Sequence, residues 1–166
     1  MYKYFLYFID GVHHVTKKII KKREGLLDRL EWLETFELGI TEVDDDHREL
    51  LAIMRRIKDA ADQELFDECS ALLDELIEFS VDHFKREEEM LAQAGYPNVK
   101  VHKEYHDRLL DRATSVKEVC KEIRTRDNLK DCCDEMFGFL VDDIIKGDLK
   151  FKSYLEEKGI IKQSED

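Results

Sequence analysis

One proline, Pro97, and seven glycines punctuate the 166 residues of this chain. A sequence so poor in breakers favours long helices joined by few turns over a sheet protein rich in turns. Its length is enough for one domain with a real core. Apolar periodicity then places the helices. The first is predicted from about Asp45 to Asp62, with Leu50, Leu51, Met54 and Ile57 on one face. The second runs from about Phe66 to Gln93, with Leu72, Leu76, Phe79 and His83 in register. "AGYPN" breaks it through Gly95 and Pro97. The third is expected from Val99 to Arg126, with "RDN" as a turn, and the fourth from Leu129 to Lys146, with Gly147 as its stop. A short last helix covers Lys150 to Lys158. Four long helices with short connections predict an all-α, antiparallel up-down-up-down four-helix bundle. Ahead of it, "ELGITEV" reads as an extended or loop segment and "DDDH" as an acidic helix start.

Charge divides the chain. Residues 1–30 carry a net charge of +4 against −12 for the whole, which leaves −16 for the rest. We therefore expect a basic, aromatic N-terminal extension over 1–30, the bundle over 31–158 and a C-terminal tail over 159–166. The acidic balance argues against nucleic acid as a partner. The apolar run in "MYKYFLYFID" is far shorter than the roughly 20 residues that span a bilayer. The extension reads as an amphipathic helix packing on the domain or on a second copy. Membrane-surface anchoring through Lys17, Lys18, Lys21, Lys22 and Arg23 is the less favoured alternative. Monomer and homo-oligomer both remain open. Four cysteines without a CxxC pair, and no signal-peptide pattern, make a reduced cytoplasmic protein the default.

The histidines are not scattered. "HFKRE" sets His83 and Glu87 at i and i+4, and "HKEYH" does the same for His102 and His106. Side chains four apart share a helix face, so each pair offers two donors to one side. One such pair is common on exposed helices. Two pairs on adjacent antiparallel helices, with His47 near the start of the first, make a more demanding coincidence. Buried imidazoles and carboxylates in one layer are costly unless paired or metal-bound. Mixed His and carboxylate donors suit iron, manganese or zinc.

In this order the chain resembles the hemerythrins, the bacterial ones especially. The elements are Trp32, Gly39-Ile40, Asp44 with His47, "HFKREEEM", "GYP", "HKEYH" and a final acidic pair. The resemblance covers roughly residues 31–155. It implies a pair of non-haem iron ions with an oxo or hydroxo bridge, and dioxygen as the bound ligand. One iron would take His47 and His83, and the other His102 and His106. Glu87 and Asp148 would bridge them. Phe84 and Leu140 match apolar positions around the family's oxygen pocket, and Phe139 stands where a tryptophan is usual.

The family's fifth terminal histidine precedes the last aspartate by five residues, and here that position is Asp143. Leu140 and Ile144 support the register on both sides, so Asp143 reads as a replacement of histidine by aspartate. Three outcomes follow, in order of preference. Asp143 ligates iron directly, or it holds a water on iron, or His13 or His14 supplies the missing nitrogen. An anionic oxygen ligand stabilises the ferric state relative to imidazole. The expected function is accordingly a dioxygen-binding di-iron carrier, store or sensor with fast autoxidation. The alternative is a redox enzyme acting on peroxide, nitric oxide or oxygen. A metal-storing or purely structural bundle is the third reading.

Cys69, Cys120, Cys132 and Cys133 lie ten to fourteen residues along their helices from the donors. That is roughly 15–21 Å, too far to ligate the same metal. They are expected as small apolar core residues, with a thiol cluster capable of pairing as the alternative.

Overall fold

A computed structural model describes residues 32–33 and 36–162. His13, His14 and the rest of the N-terminal extension lie outside the described residues, as do residues 163–166. The helices are α1 (Thr41–Asp62), α2 (Phe66–Gln93), α3 (Val99–Lys121) and α4 (Arg126–Asp142). A π-helical turn over Asp143–Gly147 follows, then α5 (Leu149–Glu157). Each long helix packs on the next and α1 packs on α4, which closes the up-down-up-down ring. The all-α four-helix bundle expected from the breaker-poor sequence is what forms. No described helix is long and apolar enough to cross a membrane.

Three boundaries differ from the reading of the sequence, each for a local reason. Helix α1 begins at Thr41, about one turn before "DDDH". Asp44 is thus inside the first turn, and its buried carboxylate reaches back to accept from the backbone N–H of Leu38 (2.8 Å) and Gly39 (3.0 Å). Gly39 takes φ +79°, the left-handed region that favours glycine. "RDN" is not a turn but the start of α4, with Asp127 near the positive end of the helix dipole. Arg124 closes the preceding loop by donating to the carbonyls of Lys121 and Ile123. Gly147 does not stop a helix. It lies inside the π-turn, where the Asp148 N–H donates to the Asp143 carbonyl at 3.2 Å, five residues back.

The core is ordinary along the bundle axis, with Leu50, Met54, Ile57, Leu73, Leu76 and Met136 buried. Helix α5 seals one end. Its Phe151 and Leu155 are fully buried against Leu38, Val43 and Leu91. Lys152 donates to the Glu37 carbonyl (2.8 Å), and the Tyr154 hydroxyl to the Gly95 carbonyl (2.8 Å). Phe151 also meets the His102 ring edge-on at 5.5 Å, so the seal lies directly against the histidine layer. Removing that ring leaves a cavity under α5. Phe151→Ala is expected to lower unfolding free energy by about 3–5 kcal/mol in urea titration. A loss below about 1 kcal/mol would show that α5 is not part of the cooperative core.

Candidate metal centre

His47 comes from α1, His83 and Glu87 from α2, and His102 and His106 from α3. Asp143 comes from the π-turn and Asp148 from the junction before α5. All seven are buried in one layer. Two groups of converging donors form. Glu87, His102, His106 and Asp148 make one, and His47, His83 and Glu87 make the other, with the donor atoms of each group within 4.8 Å of one another. Glu87 is common to both. Asp148 spans them as well, because its Oδ2 stands 3.1 Å from His47 Nε2.

His102 Nε2 meets Glu87 Oε1 at 2.5 Å, but the other atoms converge without satisfying each other. The His47–Asp148 approach is short, yet neither atom has a hydrogen-bond partner. His83 Nε2 lies 3.7 Å from Glu87 Oε2, and His106 Nε2 lies 3.6 Å from Glu87 Oε1 and 3.8 Å from Asp143 Oδ1. Those separations exceed hydrogen-bond lengths. They suit donors around a common ion, since atoms held about 2.0–2.2 Å from one metal stand about 3–4 Å apart. Among the described residues, eight buried side-chain nitrogens and oxygens lack a hydrogen-bond partner, and all belong to His47, His83, Glu87, His106, Asp143 and Asp148. One orphaned group costs about 1–3 kcal/mol. Eight together rival the about 5–15 kcal/mol that holds a whole domain folded. The donor set therefore fits a cation.

Protonation agrees. Burial pulls the His83 and His102 imidazoles below their usual range, and burial with neighbouring His102 takes His106 down to about 2. Neutral imidazole is the metal-binding form. Burial, then the charge of Asp148, pushes the Glu87 and Asp143 carboxyls well above the usual range. A cation would relieve that repulsion.

Two residues outside the expected set orient the rings. Asp46 accepts from His83 Nδ1 at 3.2 Å and from the Arg86 guanidinium at 2.8 Å. Partial burial pushes the Asp46 carboxyl up, but the hydrogen bonds from His83 and Arg86 outweigh it and hold it low. Glu88 takes the matching place on the other side, 3.1 Å from His106 Nδ1 and 2.9 Å from Lys103 Nζ. A carboxylate on Nδ1 fixes the tautomer and turns the Nε2 lone pair inward. Both residues lie in acidic runs, "DDDH" and "EEE", where neighbouring acids obscure them. The signal was an acid next to a metal-type residue, one position round the helix.

The π-turn was also missed, although the spacing held a clue. Five residues on an α-helix turn through about 500°, which leaves Asp143 and Asp148 some 140° apart. Widening the turn to an i→i+5 bond brings them back toward one face. Gly147 makes room for it. A Cβ there would stand 2.7 Å from Asp143 Oδ1 and 3.1 Å from Tyr105 Cε1.

Phe84 is buried and stacks on His106, with ring centroids 3.9 Å apart and planes 9° apart. It also lines an apolar cavity with Leu76, Leu109, Ala113 and Met136. The side chains of Phe139 and Leu140 lie outside those described.

A family model, the hemerythrin HHE cation binding domain, matches residues 38–147. A bacteriohemerythrin from Clostridium acetobutylicum is 33% identical over 94 residues, which is 53% of this chain and 73% of that protein. A myohemerythrin from Theromyzon tessulatum is 31% identical over 125 residues, 75% of this chain and 92% of its own length. A hemerythrin-like protein from Naegleria gruberi is 32% identical over 88 residues, 53% of this chain and 69% of that one.

Raised carboxyls retain protons at a pH where ordinary ones have lost them, and an incoming cation displaces those protons. Adding ferrous ion anaerobically to metal-free protein in weak buffer, just above the ordinary carboxylate range, should acidify the solution, and Asp143→Asn should release fewer protons. Uptake without acidification would contradict the raised carboxyls. Gly147→Ala should lower cation affinity about 10–100-fold, the scale on which groups that orient ligands act. Unchanged affinity by competition with a chelator would show that Asp143 is not held in place by this contact.

Proposed function

Because the chain belongs to the hemerythrin family, we propose that its buried cluster holds two non-haem iron ions and binds dioxygen, as a carrier, store or sensor. The observation that supports this most directly is that Glu87 belongs to both donor groups while Asp148 reaches across them. In this reading His47 and His83 would hold one iron and His102, His106 and Asp143 the other, with Glu87 and Asp148 shared between them. Iron, when bound, supplies the electrons that dioxygen takes up and returns.

The chain's own residues set the conditions. Asp46 and Glu88 keep His83 and His106 in the ligand tautomer by holding their Nδ1 protons. Phe84, packed flat on His106, keeps water from that side of the layer. Phe151 and α5 close the end below it. An oxygen ligand needs such a dry pocket, because charge separation is disfavoured where water is excluded.

Asp143 sets this chain apart from the family pattern. A carboxylate in place of imidazole adds negative charge to the iron beside His106 and favours its oxidised state. We therefore expect faster autoxidation than in members with histidine there. One observation favours the enzymatic reading as well. Asp143 lies outside both groups whose donors converge within 4.8 Å. Should it hold a water on the ion instead of reaching it, a second exchangeable position would be left, suited to reduction of peroxide, nitric oxide or oxygen. The cytoplasmic setting inferred from the sequence belongs with this proposal.

The test is to load the protein with iron, reduce it without air, admit oxygen and follow the visible spectrum. The expected course is an oxygenated spectrum that passes quickly to a ferric one. Asp143→His should slow this by about tenfold or more, which corresponds to about 1.4 kcal/mol in the barrier. An oxygenated spectrum that is long-lived and reversible in the unaltered protein, or an equal rate in the variant, would contradict the role given to Asp143.

A further inference from the structure

We propose that Cys69 and Cys133 form an oxidisable dithiol, which hydrogen peroxide closes into a second disulfide that staples α2 to α4. All four cysteines gather at the end of the bundle away from the metal layer, because Cys69 opens α2, Cys120 ends α3, and Cys132 and Cys133 lie early in α4. Cys120 and Cys132 are joined in a disulfide. Half of the expectation that the cysteines serve as free core residues therefore fails, because antiparallel packing of α3 on α4 sets these two Cα atoms 5.8 Å apart. Cys69 and Cys133 are free thiols, with sulfurs 3.8 Å apart.

The vicinal arrangement explains how two pairs share one place. Neighbouring residues on a helix point about 100° apart. Cys132 faces α3 and meets Cys120, while Cys133 faces α2 and meets Cys69. Each α4 cysteine is thus committed to a different neighbour. Both free thiols are almost wholly buried, at 0% and 2% exposure, so the oxidant has to be small. Hydrogen peroxide meets that need where a bulky organic disulfide does not. The two thiols also differ in reactivity. The hydrogen bond from Cys133 lowers the Cys69 thiol against the opposing effect of burial, and the same contact, followed by burial, raises Cys133. Cys69 is the nucleophile, since thiolate rather than thiol attacks.

The chemistry balances. The Cys69 thiolate attacks one peroxide oxygen, the O–O bond breaks, and with one proton the products are Cys69 sulfenic acid and water. The Cys133 sulfur then attacks the Cys69 sulfur, the S–O bond breaks, and a second water leaves with the Cys133 proton. Two thiols and one peroxide give one disulfide and two waters. The new link spans 64 residues of sequence, so it restrains the unfolded chain strongly and ties α2 to the bundle.

Thiol counting with peptide mapping tests this on the full chain, metal-free and iron-loaded. Before treatment, alkylation of the denatured, unreduced protein should label Cys69 and Cys133 only. One equivalent of hydrogen peroxide should remove both labels and yield a peptide pair joining Cys69 to Cys133. The melting temperature should rise, fall back with dithiothreitol, and not move in Cys69→Ser or Cys133→Ser. Four free thiols throughout, labels that survive excess peroxide, sulfinic acids without a cross-link, or a link to Cys120 or Cys132 instead would each overturn the proposal. A melting shift that persists in both serine variants would do the same.

Discussion

Desolvation of imidazole and carboxylate governs this protein. Seven polar residues share a dry layer between four helices, and six of them leave nitrogen or oxygen atoms without a partner. Phe84 packs on His106 on one side and Phe151 meets His102 on the other, which buries the layer away from bulk solvent. Such a layer is sustainable only if something positive sits within it. The long helices, the sealing α5 and the flanking carboxylates all read as means of holding that layer in shape before a cation arrives.

The layer is organised from outside as much as from within. Arg86 holds Asp46 against His83, and Lys103 holds Glu88 against His106, so each ring is set by a surface ion pair that touches no donor position itself. Helix α4 contributes differently. Its α-helical course gives way to a π-turn where Asp143 and Asp148 must both face inward, and Gly147 leaves space for the Asp143 carboxylate. Irregular backbone here is part of the site. The opposite end of the bundle carries separate chemistry, with a disulfide and a dithiol on the vicinal pair Cys132 and Cys133.

Much of this was legible in the sequence, for identifiable reasons. The i,i+4 pairs His83–Glu87 and His102–His106 mark helix faces directly, and scarcity of proline and glycine implies the long helices that carry them. The five-residue step from Asp143 to Asp148 was readable only through family resemblance, because a regular α-helix does not place those two on one face. Helix ends were less legible. Asp44 was read as part of an acidic helix start, whereas from within the first turn it accepts from the backbone N–H groups of Leu38 and Gly39. Asp46 and Glu88 were masked by neighbouring acids of the same type. Cysteine pairing needed the packing of three helices, which no local pattern encodes.

The central claim is that this layer holds two ions, bridged by Glu87 and Asp148 and reached by Asp143. Anomalous diffraction at the iron edge, from crystals of iron-loaded protein, measures it most directly. The account predicts two peaks, one beside His47 and His83 and one beside His102 and His106, with Glu87 between them and Asp143 density directed at the second. A single peak, or two peaks with the Glu87 carboxylate turned away from both, would contradict it.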